Sequence, residues 1–336
     1  MSARESIIPV FVPHLGCPND CVFCNQRRIS GHTEPATAET VEKAIESAAA
    51  LPSSGAKRQM AFYGGSFTAI PVSEQEALLG AAKKYIDSGF LSSIRLSTRP
   101  DAIDEAVLER LSRYGVETVE IGAQSLDDGV LLRANRGHTA QDVENASQLI
   151  KATGFKLVLQ MMTGLPGDSG KESIETAKKI IALRPDGVRI YPTVIVRDTA
   201  LFEMWQMNEY AEHTVENAVE VCAGIVPLFE EAGIPIIRLG LNPTDDLSGG
   251  DAAGGAYHPA LGELVRSRIM LKKAEKLLDG VEAKSVVLCV HPSLISQLVG
   301  QHRGNIAALK EKFGFENVKV KSADIEKGEI VIMSAE

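Results

Sequence analysis

The sequence predicts an α/β fold in which six βα units form one large parallel domain and a small α/β domain closes the chain. Short β-branched runs alternate with helical patterns of about 12 to 20 residues, the rhythm of βα units around a parallel sheet. The 336 residues exceed the roughly 100 to 200 of one ordinary domain, and 44% hydrophobic with 24% charged residues is globular usage, outside the regime of disorder. A glycine-rich stretch from Asp245 to Ala256 separates the six units from a shorter tail. The expected domains are therefore residues 1–245 and 246–336.

Taken in order, strands are expected near Ile7 to Val12, Gln59 to Tyr63, Ser93 to Ser97, Thr118 to Gly122, Lys156 to Gln160 and Gly187 to Tyr191. Helices between them fall near Ala38 to Ala50, Ser73 to Ser88, Ile103 to Tyr114, Ala140 to Ala152 and Lys171 to Leu183. Thr37, Ser73, Asp101 and Thr139 stand at helix starts, where a short oxygen-bearing side chain satisfies backbone N–H groups that lack a helical partner. A longer helix then runs near Ala211 to Ala232, followed by an extra strand near Pro235 to Leu239. Past the glycine-rich stretch, which reads as a domain boundary or an active-site lid, come a helix near Ala260 to Asp279, a strand near Lys284 to Val290, a helical pair across Gly300 to Gly304, and strands near Val318 to Lys321 and Glu329 to Met333.

Apolar stretches such as Ser285 to Val290 and Ile234 to Ile237 fall far short of the roughly 20 residues of a membrane helix, and Met1 to Ser6 carries mixed charge with no signal segment. No membrane association is expected, and the expected compartment is the cytoplasm. Net charge is −9; residues 260–336 hold 12 Lys and Arg against 10 Asp and Glu, so the first 259 carry −11. That balance argues against non-specific nucleic-acid binding by the whole molecule but leaves a basic patch open on the tail.

Five cysteines are too few for a disulfide framework, yet Cys17, Cys21 and Cys24 cluster directly after the first strand. Cys222 and Cys289 sit in apolar runs and read as small core hydrophobes. Loops at the C-terminal ends of parallel strands are where barrel-type sheets assemble their sites. Three thiolates can hold three irons of a [4Fe–4S] cluster and leave the fourth iron open, whereas a zinc site would need His14 or His32 to complete it. Both remain open on spacing alone.

Cys17, Cys21, Phe23 and Cys24 match C-x3-C-x-aromatic-C, and in this the sequence resembles the radical SAM superfamily. The resemblance implies a partial (βα)6 TIM-like barrel of the radical SAM type, a [4Fe–4S] cluster, and S-adenosylmethionine bound at the open iron and cleaved to a 5′-deoxyadenosyl radical. It also implies a low-potential electron donor of the flavodoxin or ferredoxin type. Phe23 is then expected beside the adenine, and Gly64, Gly65 and Ser66 in a turn that lets backbone approach the methionine end. Further strings lie at successive strand ends: Thr98-Arg-Pro-Asp, Val119-Glu-Ile-Gly-Ala-Gln-Ser-Leu-Asp, Asn135-Arg-Gly-His-Thr, Gly164-Leu-Pro-Gly and Ile190-Tyr-Pro-Thr-Val-Ile-Val-Arg. Together they resemble the radical SAM half of the elongator catalytic subunit and, more distantly, oxygen-independent coproporphyrinogen oxidase. The short x3 spacing, Asn25-Gln26-Arg27 after the third cysteine, and Arg189 in place of a lysine depart from the elongator pattern. Residues after 240 contain no convincing acyl-CoA loop, so an elongator-like protein without the acetyltransferase domain is expected.

On this reading Arg99, Gln124, Ser125, Gln160, Arg189 and Tyr191 are expected at the cofactor. Either arginine suits a carboxylate or phosphate, or a structural carboxylate instead. Arg136, His138 and His258 are expected on the substrate side. The basic glycine loop from Gly300 to Gly304 is a candidate RNA contact or a plain helix connection. Three functions stay open: a radical SAM enzyme acting on RNA, expected to be a tRNA base; the same chemistry on a small metabolite or protein; and a non-enzymatic zinc- or RNA-binding protein.

Overall fold

Met60, Phe62, Ile94, Leu96, Val119, Ile121, Leu157, Leu159, Val188 and Ile190 are all fully buried, and each pair is two residues apart. A strand turns alternate side chains to opposite faces, so these residues share one face of one sheet. The computed structural model describes residues 5–12, 20–25, 35–51, 55–241 and 250–336. It contains β1 (Glu5–Val12), α1 (Ala38–Ala49), β2 (Lys57–Gly64), α2 (Val72–Asp87), β3 (Ser93–Thr98), α3 (Glu105–Arg113), β4 (Val116–Gln124), α4 (Asp128–Arg133), α5 (Ala140–Ala152), β5 (Lys156–Thr163), α6 (Lys171–Leu183) and β6 (Gly187–Pro192). Then follow β7 (Val194–Val196), α7 (Ala200–Gln206), α8 (Val215–Glu231), β8 (Ile236–Leu239) and β9 (Ala252–Gly255).

The sheet runs β1-β2-β3-β4-β5-β6-β8 with every pair parallel. The extra strand therefore joins the barrel as a seventh strand. Strands in a sheet lie about 4.8 Å apart, so β2 and β6 would stand about 19 Å from each other if the sheet were flat. Yet Arg189 Nη2 of β6 donates to the Tyr63 hydroxyl of β2 at 3.1 Å. The sheet is therefore curled, and the face opposite the apolar one is the interior of an incomplete barrel.

Thr37 and Thr139 cap α1 and α5 in full capping boxes, as expected. The other two caps differ. Pro71 precedes α2, its fixed φ setting the first turn where Ser73 was expected to do so. Asp104 caps α3 by accepting from Val107 N–H at 2.7 Å, because Asp101 is taken by Arg99. Within the glycine-rich stretch, Ala252–Gly255 pairs antiparallel with β7. Gly255, at φ +83, brings backbone so near Thr193 that a Cβ would lie 2.7 Å from its carbonyl oxygen. Residues 245–249 of that stretch lie outside the described residues.

Contacts divide the chain into one compact unit of Met1–Thr214 with Leu228–Tyr257, and a second of Val215–Pro227 with His258–Glu336. The second holds α9 (Leu261–Leu278), β10 (Ser285–Val290), α10 (Ile295–Val299), α11 (Gly304–Phe313), β11 (Asn317–Ser322) and β12 (Ile330–Ala335). Its sheet runs β11-β10-β12, parallel then antiparallel. Leu271, Ala274, Leu278, Leu288, Leu298, Leu309 and Phe315 fill its core. Cys222 and Cys289 are buried, as small hydrophobes are. No helix among the described residues is long and apolar enough to cross a membrane.

Gly164, at φ +76, leaves room for the His213 ring, from which a Cβ would be 2.1 Å away, whereas a Cβ on Gly154 at φ +86 meets nothing within 4 Å. Gly154→Ala is expected to lose about 1 kcal/mol for its backbone conformation alone. Gly164→Ala adds overpacking and loses about 2 kcal/mol or more, seen as a lower urea midpoint at unchanged slope.

Candidate active site

The cysteine loop is held by parts of the chain far from it in sequence. Val22 N–H donates to Ala134 O at 3.1 Å, and Leu201 N–H donates to Val22 O at 2.8 Å. Asn135 Nδ2 donates to Asp20 O at 2.8 Å, with Asn135 itself in the left-handed region at φ 49. Cys24 N–H donates to Cys21 O at 2.9 Å, closing a tight turn that keeps the two thiols on one short segment. Val22 and Phe23 pack among Val130, Leu165, Met162, Leu201 and Trp205, so Phe23 anchors the loop. Cys17, His14 and His32 lie outside the described residues.

Cys21 and Cys24 form no disulfide. Arg136 Nη1 lies 3.4 Å from Cys21 Sγ, with both residues buried. Two thiols on one turn and a buried cationic donor aimed at the Cys21 sulfur suit a thiolate-ligated iron–sulfur cluster, whose sulfurs accept hydrogen bonds.

Around this loop the strand ends carry the expected turns. Gly64 has φ +104, and a Cβ there would sit 2.9 Å from Val12 O. Gly65 N–H donates to the same carbonyl at 2.8 Å, which leaves the β1 and β2 ends in close register, and Ser66 is buried beside them. Gln124 ends β4 at φ 64, with Ser125 N–H donating to Ala123 O at 2.8 Å across it. Such a three-residue turn is strained for a side-chain-bearing residue, and strain of this kind gathers at working sites. Gln160 Nε2 donates to Gln124 Oε1 at 3.2 Å, which pairs the two expected cofactor groups.

Below them the barrel interior holds an ionic layer. Arg189 Nε and Nη2 donate to Glu120 at 2.8 and 3.3 Å, and the Tyr63 hydroxyl donates to Glu120 Oε1 at 3.2 Å. Tyr191 accepts from Arg189 Nη1 at 3.5 Å, and Arg95 Nη1 stands 3.5 Å from Glu120 Oε1. Tyr63, Glu120 and Arg189 come from alternate strands, the way barrel interiors are layered, with polar groups where branched aliphatics usually sit. Burial, and then the negative Glu120, push the Tyr63 phenol up to about 12. Burial opposes the Arg189 charge, but Glu120 outweighs it and holds the guanidinium protonated.

Several expected site residues already have partners within the protein. Arg99 is 1% exposed, and its fork closes on Asp101 at 2.6 and 2.8 Å while Nη2 also donates to Arg136 O at 3.2 Å. It buttresses the neighbouring loop and offers no open clamp. Ser125 faces α6, 3.3 Å from the Thr176 hydroxyl, and accepts from Asp127 N–H, so it shapes the turn. Arg189 meets a carboxylate of its own chain. Arg136 turns to Cys21, where a substrate contact was expected. His138 is buried, with Nε2 3.2 Å from Ala123 O. A carbonyl only accepts, so Nε2 bears the proton; burial and the adjacent Arg136 push the imidazole down to about 4 and keep it neutral. His258 belongs to the second unit, where its Nδ1 accepts from Ala260 N–H at 3.1 Å at the start of α9.

Sequence reasoning missed Glu120, Tyr63, Tyr210 and His213. Tyr210 donates to Gly164 O at 2.5 Å and His213 Nε2 lies 3.1 Å from the Thr163 hydroxyl, so both brace the turn after β5. An acid between Val119 and Ile121 of a buried strand was a legible signal, since a buried carboxylate requires a cation and Arg189 stood in another such strand.

The radical SAM superfamily model matches residues 11–180, and the Radical_SAM C-terminal domain model matches residues 185–270. Elongator complex protein 3 of Schizosaccharomyces pombe is 34% identical over 185 residues, covering 49% of this chain and 34% of that protein. The tRNA uridine(34) acetyltransferase of Methanocaldococcus infernus is 35% identical over 129 residues, covering 38% of this chain and 24% of that protein. The aligned part of the chain thus spans about a third or less of these curated relatives. Among solved structures, the archaeal Methanocaldococcus infernus Elp3 superposes with a TM-score of 0.63 at 24% identity, over 81% of this chain and 64% of that one, a likeness of fold.

Glu120→Gln keeps the size of the side chain and removes the counter-charge from buried Arg95 and half-buried Arg189. A loss of about 3 to 5 kcal/mol is expected in urea denaturation. His138 is depressed from 6.5 to about 4, so its contribution is present above pH 6.5 and lost as pH falls toward 4. That loss amounts to about 3 kcal/mol. His138→Gln retains a donor for Ala123 O, and its stability is expected to fall less steeply than wild type over that pH window.

Proposed function

The chain belongs to the radical SAM superfamily, and on that footing we propose that it modifies an RNA base, a tRNA uridine being the first candidate. It is an enzyme whose cofactors are a [4Fe–4S] cluster and S-adenosylmethionine. When bound and reduced by a low-potential donor of the flavodoxin or ferredoxin type, the cluster supplies the electron that splits S-adenosylmethionine to a 5′-deoxyadenosyl radical. Cys17, Cys21 and Cys24 hold it on this reading. The observation that carries the assignment is the loop itself: Cys21 and Cys24 on one tight turn, bonded to Ala134 and Leu201 and faced by Arg136.

The chain's own residues position and exclude. Gly64 and Gly65 let backbone approach the methionine end, Phe23 backs the adenine, and Gln124 with Gln160 offers amide groups at the mouth of the barrel. The Tyr63–Glu120–Arg189 layer floors that mouth with side chains already paired to one another. Such a floor keeps bulk water from the radical without spending its own charges on the cofactor. The tRNA substrate is supported by likeness to a tRNA uridine(34) acetyltransferase. The net charge of −9 favours a second reading, the same chemistry on a small metabolite.

The test is anaerobic reconstitution with iron and sulfide, then dithionite and S-adenosylmethionine, with chromatography for 5′-deoxyadenosine. Wild type is expected to form it and Cys21→Ala to form none; a colourless zinc protein that leaves S-adenosylmethionine intact refutes the assignment. With tRNA, retention is expected to fall linearly in log salt and to weaken on charge reversal at Arg303, Lys310 and Lys312. Absence of retention at low salt moves the substrate to a small molecule.

A further inference from the structure

We propose that Arg136 is a positioning residue for the iron–sulfur cluster, which raises its reduction potential by donating a charge-assisted hydrogen bond to the sulfur of Cys21. This rests on the reading that the three cysteines hold the cluster.

The geometry already directs the guanidinium. Nη1 reaches Cys21 Sγ at 3.4 Å, and Nη2 donates to Gly122 O at 2.9 Å, so two of its nitrogens are already directed. Arg136 and Cys21 are each 7% exposed. A substrate group arriving from solvent would have to displace contacts already buried. The backbone that carries the fork is held on both sides: Arg136 N–H donates to Leu131 O at 3.0 Å, and Arg136 O accepts from Arg99 Nη2 at 3.2 Å. The two residues before it, Ala134 and Asn135, bond to Val22 and Asp20 of the cysteine loop. Three consecutive residues after α4 thus engage the loop, and the third aims its charge at the sulfur. Gly122 is part of the device, since a Cβ there would lie 2.9 Å from Arg136 Nη2.

Reduction adds one electron to the cluster and no proton to Arg136. Hydrogen bonds to cluster sulfurs and solvent exposure set cluster potentials, and a fixed positive donor favours the more negative, reduced state. Burial strengthens the effect because little water screens it. Removing the donor therefore makes reduction harder.

The experiment uses the full chain, reconstituted anaerobically and titrated against redox mediators with electron paramagnetic resonance, as wild type, Arg136→Gln and Arg136→Lys. In Arg136→Gln the midpoint is expected to move to lower potential by a factor of about ten in the reduction equilibrium, about 59 mV for one electron. Arg136→Lys keeps the charge and is expected to recover part of the shift. A second measurement needs no variant: wild type labelled with ¹⁵N-arginine is expected to show a weak nitrogen coupling to the reduced cluster. If the variants hold no cluster, that coupling alone decides. A normal cluster with an unchanged midpoint, or with no arginine coupling, overturns the role of Arg136 and leaves the enzyme assignment standing. Wild type that takes up zinc and forms no [4Fe–4S] cluster overturns both.

Discussion

One carboxylate organises the interior of the barrel. Glu120 is 3% exposed, accepts from Arg189 and Tyr63, and faces Arg95, so groups from three other strands converge on it. A buried acid is tolerable only when its charge is answered at close range, and here the answer comes from across the curled sheet. The same bonds that satisfy the carboxylate therefore draw β2 and β6 toward each other. Curvature, and with it the gathering of strand ends around one mouth, depends on this layer together with the helix-covered apolar face.

Above the layer, placement is achieved by bonds between distant segments. The cysteine turn leans on the segment after α4 and on the start of α7, and the strained Gln124 turn faces Gln160. Arg99 illustrates how such a site divides labour. Its motif position led to the expectation of a ligand clamp, but its fork is spent on Asp101 and its remaining reach on the backbone of Arg136. It supports a residue that faces Cys21.

The βα rhythm was legible because alternating apolar residues are a local property of each strand. Helix ends were legible where a threonine could cap, at Thr37 and Thr139, and misplaced where a proline or a competing arginine altered the first turn. Backbone-led features of the site, the Gly64 turn among them, followed from glycine at a strand end. What escaped was partnership across the barrel. Nothing local in the sequence pairs Arg189 with Glu120, 69 residues away, or turns Arg136 toward Cys21, 115 residues away. Ser125 likewise reads as polar and available until α6 brings Thr176 to it.

The bonds from Val22 to Ala134 and Leu201 also carry a temporal meaning. Contacts so far apart along the chain form late, after the intervening units have closed their loops. A nascent chain emerges from its N-terminus, so the cysteines appear first and their supports last. The native geometry of the thiols is thus completed only when residue 201 has been made and docked. Metal assembly at this loop belongs after synthesis of the barrel, and the exposed cysteines of the growing chain are the interval in which oxidation or the wrong metal competes.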